Sequence, residues 1–170
     1  MAIVKATYTK QSVGAKASIR YIEHRPGKDG EKITRTLFGW DGVMGRHQAY
    51  RMIDAAEKGS IFFRFVLSPD PNKEDSAKDL HLREITEHTM TTLEERLHKQ
   101  VSWVAAEHND HAPHRHVHIV AIVPGRLQVQ DFQLLRETAT EQALFQRRER
   151  DLLQEHKERE REWEEAQWER

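Results

Sequence analysis

Residues 101–123 read VSWVAAEHNDHAPHRHVHIVAIV, two apolar runs flanking a loop crowded with histidine. The runs 101–107 and 115–123 are rich in Val, Ile and Trp, and Pro124-Gly125 closes the second with turn chemistry. Both are expected to be strands, folded back on each other through the loop. Five of the eleven histidines lie between His108 and His118, a concentration that scatter along 170 residues does not produce. Side chains alternate across a strand, so His114, His116 and His118 share one face while Arg115, Val117 and Ile119 take the other. A hairpin brings His108, at the end of the first run, back towards that row. Neutral imidazoles are common ligands of divalent metals, and three of them leave coordination positions open for a substrate oxygen. The pattern is that of a catalytic site rather than a closed structural one. Asp110 is placed to accept the second ring proton of a ligating histidine and so fix its tautomer.

Outward from this hairpin, residues 60–67 (SIFFRFVL) are too apolar for a half-exposed strand and end sharply at Ser68-Pro69-Asp70-Pro71, so a central strand is expected there. Residues 3–8 and 33–38 alternate like shorter strands, the second following the turn residues Pro26 to Gly30. Helices are expected over 11–25, over 45–58 with Gly59 as a stop, and over 79–99, where Leu82, Ile85, Thr89, Leu93 and Leu97 make one apolar stripe. From Val129 onward the chain reads as one long helix whose apolar stripe fades after Gln146 into dense mixed charge. The expected architecture is α+β: a central antiparallel sheet of about five strands, centred on those at Ile61 and Val117, with helices packed on it and a long charged C-terminal helix. The division expected is one globular unit over 1–125 and a helical extension over 126–170.

Composition narrows the chemistry. The chain has no cysteine, which excludes disulfides, thiolate metal sites and cysteine nucleophiles and suits a reducing cytoplasm. The first residues lack the apolar core of a signal peptide, and no run approaches the roughly 20 apolar residues of a membrane span. A soluble, cytoplasmic protein is therefore expected. Net charge is −1, but residues 1–51 carry ten Lys and Arg against four acids. That basic third suits contacts with a phosphate backbone.

The order His-x-Asp, a loop with Pro, then His-x-His opening an apolar strand resembles the third motif of conjugative and mobilisation relaxases, members of the HUH (His-hydrophobic-His) endonuclease superfamily. Phe63 to Pro69, Met90-Thr91-Thr92-Leu93-Glu94 and Val101 to Ala106 precede the histidines much as in those enzymes. The resemblance covers roughly residues 1–125. It places the metal ligands at His108, His116 and His118, with His114 a fourth candidate. Since Pro113 precedes His114 directly, the paired histidines are either His116/His118 or His114/His116. It places the nucleophile at Tyr21, on a helix after the first strand; Tyr8 and Tyr50, the other tyrosines, suit apolar positions of regular elements.

The resemblance implies metal-dependent nicking and rejoining of single-stranded DNA through a 5′-phosphotyrosine link at an origin of transfer, in the company of accessory relaxosome proteins. The cofactor implied is a divalent ion, Mg or Mn, with Zn, Ni or Co also suited to the ligands. Asp110 would assist the catalytic group, and Arg20, Arg25, Arg64, Arg115 and Arg126 are the candidate DNA contacts. Replication or transposition nucleases share such a metal site but carry the tyrosine after the histidines, and no tyrosine follows Tyr50. A metal- and DNA-binding module without catalysis, its tail self-associating as a coiled coil, is the reading from a different class.

Overall fold

The computed structural model describes residues 1–110 and 113–168. His111 and Ala112 of the histidine loop, and the last two residues of the expected C-terminal helix, lie outside the described residues. The chain runs β1 (Ile3–Thr9), α1 (Ser12–His24), β2 (Leu37–Gly39), β3 (Gly42–Met44), α2 (Arg46–Asp54), β4 (Ile61–Ser68), α3 (Leu82–Leu97), β5 (Trp103–His108), β6 (His116–Val123) and α4 (Val129–Trp168). All strand pairs are antiparallel, in the order β1-β4-β6-β5-β2-β3. The α+β expectation holds, and the strands at Ile61 and Val117 are both interior and mutually paired.

The sheet, expected to have about five strands, has six among the described residues. The extra one comes from the hairpin of β2 and β3 around Trp40-Asp41, where Gly39 faces Gly42. Gly42 has φ +106°, a conformation that only glycine takes without strain. The strand expected over 33–38 begins only at Leu37, because Arg35 spends its backbone N–H on the Glu23 carbonyl at the end of α1 (2.9 Å) rather than on the sheet. The helix expected over 45–58 stops at Asp54, and Gly59 (φ +87°) lies in the turn beyond it.

Strand alternation sorts the apolar side chains into two layers. On one face Phe62, Val104, Ala106 and Val120 pack under α1 and α2, with Ala15, Ile19 and Ile22 forming the inward stripe of α1. On the other face Phe65, Leu67, Trp103, Val117 and Ile119 pack against α3 and α4. Leu135, Ala139 and Ala143 of α4 belong to this core. The N–H of Ala2 reaches the Thr140 hydroxyl (2.9 Å), and Arg96 pairs with Asp131 (2.8 Å). The proposed boundary at residue 125 therefore cuts through a packed layer. The exposed extension starts only at Asp151, beyond which every described residue of α4 is exposed. No helix among the described residues is long and apolar enough to cross a membrane.

Candidate metal centre and adjoining cleft

His108 is the last residue of β5 and His116 the first of β6, and the ladder sets them directly opposite each other. His118, two residues on, falls on the same face beside Ala106. The three ring centroids are 4.4, 5.0 and 5.4 Å apart, and one nitrogen from each lies within 4.8 Å of the others. All three rings are buried. Among the described residues no other group of three or more His or acidic side chains converges in this way. His114 lies in the loop before the strand, outside the cluster, and its backbone bonds the His116 ring. The two readings of the histidine pair are thereby separated: His116 and His118, with Val117 between them on the opposite face, share the centre with His108.

Hydrogen bonding fixes what the rings offer. The carbonyl of Ile22, in the last turn of α1, can only accept, so His108 Nε2 must be the protonated nitrogen at 2.9 Å. Its Nδ1 then carries a lone pair. That atom, and both ring nitrogens of His118, are buried without a hydrogen-bond partner. Burial holds His118 down to about 3, with the neighbouring His108 and His116 rings adding to the effect. Burial, and then the Arg35 charge, hold His108 down to about 4, and burial lowers His116 as well. Three neutral imidazoles with inward lone pairs are the donor set a divalent cation takes, at about 2.1 Å per nitrogen for zinc. Orphaned buried nitrogens are costly without such a partner. The residues present fit the group.

A cleft of about 360 Å³ opens beside the centre, and Tyr21 and His118 both line it, with Lys5, Thr7, Arg64 and Val66. It meets a second cleft of about 300 Å³ at Thr7 and Arg64, lined further by Thr9, Gly14 and Ser18. Together they form a groove between edge strand β1 and α1. Tyr21 is 44% exposed, and the Arg25 guanidinium lies 5.7 Å from its ring centroid. Arg64 stands on the histidine face of β4, one pair along from Val66, which faces His118. Among the described residues no carboxylate pairs with it. Both Arg25 and Arg64 act on the His118 ring through their charge.

The remaining candidates are placed elsewhere. Arg20 is exposed on α1. Arg115 points to the opposite face, where Asp75 (2.7 Å) and the Leu80 carbonyl (2.9 Å) hold its guanidinium. Arg126 follows the far end of β6 from His116. Asp110 receives a forked pair from Arg35 at 2.8 and 2.9 Å, and its charge acts on the His108 and His116 rings. Tyr8 is 58% exposed on the edge strand with its ring against Phe63, not the covered position expected of it. Tyr50, on α2, is half-buried against the core layer that α1 and α2 cover.

Sequence reading missed two groups. Arg35 looked like one basic residue in an alternating strand; nothing in its neighbours marked it. The Ile22 carbonyl was invisible in principle, since every residue has one.

Comparison with models of protein families, with curated proteins and with solved structures found no match.

Proposed function

We propose that the protein nicks and rejoins single-stranded DNA, with Tyr21 as nucleophile and His108, His116 and His118 as ligands of a divalent ion. The observation that carries this reading is the shared cleft: an exposed phenol and the partnerless imidazole of His118, one of three buried rings, line the same opening, beside Arg64, which pairs with no carboxylate among the described residues. Such a cation suits phosphate, because Arg forms charge-assisted bonds with phosphate oxygens. The groove along β1 would take one strand. The resemblance of the histidine motif to relaxases agrees with this reading.

A bound divalent ion would withdraw charge from the scissile phosphate and stabilise the charge that develops on its oxygens. Arg64 and Lys5 hold the neighbouring backbone in the cleft. The Tyr21 oxygen forms a bond to phosphorus as the bond to the 3′ oxygen breaks, and the electron pair leaves on that oxygen. The phenolic proton is given up and the 3′ oxygen takes one, so a 5′-phosphotyrosine diester and a 3′-hydroxyl replace one phosphodiester. No co-reactant is consumed, and the same site can run the exchange backwards. Arg25, stacked on the phenol ring, supplies positive charge beside the oxygen that must lose its proton.

The test is incubation of a pool of single-stranded oligonucleotides with the protein and Mn²⁺, followed by denaturing electrophoresis for a 3′ fragment linked to the protein through its 5′ phosphate. The adduct should form with the native chain and vanish with Tyr21→Phe. Cleavage that survives that substitution would show that Tyr21 is not the nucleophile. Metal binding without any cleavage would favour the binding-module reading instead.

A further inference from the structure

We propose that Arg35 is a positioning residue that sets the distance between Tyr21 and the histidine centre by clasping the end of α1 to the loop between β5 and β6. The inference builds on the reading of Tyr21 and the histidines as one site. It explains a feature that reading leaves unused: a guanidinium whose side chain is only 7% exposed, although it belongs to an irregular segment ahead of a three-residue strand.

Arg35 makes three bonds through its side chain and one through its backbone. Nη1 donates to the Arg25 carbonyl at 2.7 Å, and Nη2 donates to both carboxylate oxygens of Asp110 at 2.9 and 2.8 Å. Its N–H donates to the Glu23 carbonyl at 2.9 Å. The last turn of a helix leaves carbonyls without partners of their own. In α1 these are taken up by the site: Ile22 by His108, Glu23 and Arg25 by Arg35. Tyr21 precedes Ile22 by one residue. The helix end bearing the phenol is therefore tied to one metal ligand directly and, through Arg35, to Asp110, two residues beyond that same ligand.

No ladder bond performs this task, since α1 lies across the face of the sheet. Lysine cannot replace the fork. Its single ammonium cannot reach a carbonyl and both carboxylate oxygens in the fixed plane that guanidinium supplies. Loss of the clasp should leave the histidines where the strands put them, because β5 and β6 are paired along their whole length. Only the phenol should drift. Misplacement of a reacting group by about 1 Å costs on the order of 100-fold in rate, so Arg35→Lys should lower kcat roughly 10- to 100-fold, with KM for DNA and Mn²⁺ affinity little changed.

The deciding measurement does not need catalysis. With Tyr8 and Tyr50 replaced by Phe, 3-fluorotyrosine at position 21 gives one fluorine signal, which bound Mn²⁺ broadens according to its distance. The native chain should show a strongly broadened line, and Arg35→Lys and Asp110→Asn should recover sharpness several-fold at equal Mn²⁺ occupancy. Asp110→Asn serves where the Arg35 variant fails to fold, since it breaks the fork from the exposed side. A line equally broad in both variants overturns the proposal. So does a fall in Mn²⁺ affinity that matches the loss in rate, which would make Arg35 a support of the ligands rather than of the phenol. A broadened native line without nicking would refute the nuclease reading and leave the positioning role standing. A sharp native line would remove both.

Discussion

Replacing His118 by Leu should stabilise the metal-free protein while abolishing its response to metal. His118 buries two ring nitrogens that have no partner, and each unsatisfied buried polar atom costs about 1–3 kcal/mol. Leu fills a similar space among Ala106, Val66 and the other two rings without polar atoms. Because the cleft beside the ring admits water, a net gain of about 1–2 kcal/mol is the reasonable share of that cost. In a chain of this size that gain raises the melting temperature by roughly 2–8 °C. The native protein, in contrast, should gain about 2.7 kcal/mol from a metal at 100 times its Kd, whereas the variant, left with two ligands, should gain far less. The order of stability should thus invert: His118→Leu melts higher in chelator, the native chain melts higher in saturating Mn²⁺. Differential scanning calorimetry in both conditions reads this directly. A variant that melts below the native chain in chelator, or one that metal stabilises equally, would refute the argument that the site is strained for want of a cation.

Stability of the metal-free protein should also fall as pH drops from 7 to 5. The folded His108 and His118 are held at about 4 and about 3, below the unfolded value of about 6.5; the unfolded chain therefore takes up protons first, and stability present above pH 6.5 is lost on the way down. The slope is bounded at about 1.4 kcal/mol per pH unit for each ring, read from urea midpoints, and the double variant His108→Gln with His118→Leu should flatten it. Leu135→Ala, in the buried half of α4, should cost about 2–5 kcal/mol by the same urea assay, while removal of residues 151–170 should change stability by less than about 0.5 kcal/mol. Equal losses from the two changes would show that α4 is not split into a packed half and a free half.

The fold was legible where one signal was strong and local. The apolar run Ile61 to Ser68 and the strand from His116 to Val123 announced interior strands, because a strand covered on both faces needs apolar side chains on both. The histidine row followed from the two-residue period alone, and the register of β5 on β6 then paired His108 with His116. The hairpin of β2 and β3 was missed although Asp41-Gly42 is a recognised turn pair, since its strands have only three residues each and no pattern can show in so few. The reach of the core into α4 was legible as an apolar stripe that fades after Gln146, and Leu135, Ala139 and Ala143 of that stripe are buried against the sheet. Arg35 could not be found at all from spacing, since its partners Arg25 and Asp110 come from segments 10 and 75 residues away.

The division of labour within the site has a physical rationale. The three imidazoles stand on β5 and β6, both interior strands of the sheet; in the proposed site, rings that converge on one cation need such a rigid support. The phenol stands instead on the last turn of a helix, exposed, where a strand lying in the β1–α1 groove can reach it. A helix end is the natural place for such a group only if its orphan carbonyls are satisfied, and here the residues that satisfy them are His108, a proposed metal ligand, and Arg35, which also bonds Asp110 in the following loop. In the proposed mechanism one set of hydrogen bonds therefore caps the helix, selects the His108 tautomer and aims Tyr21. Any substitution that uncaps α1 should lower the rate before it lowers the stability, because the helix body is still held by Ala15, Ile19 and Ile22 in the core.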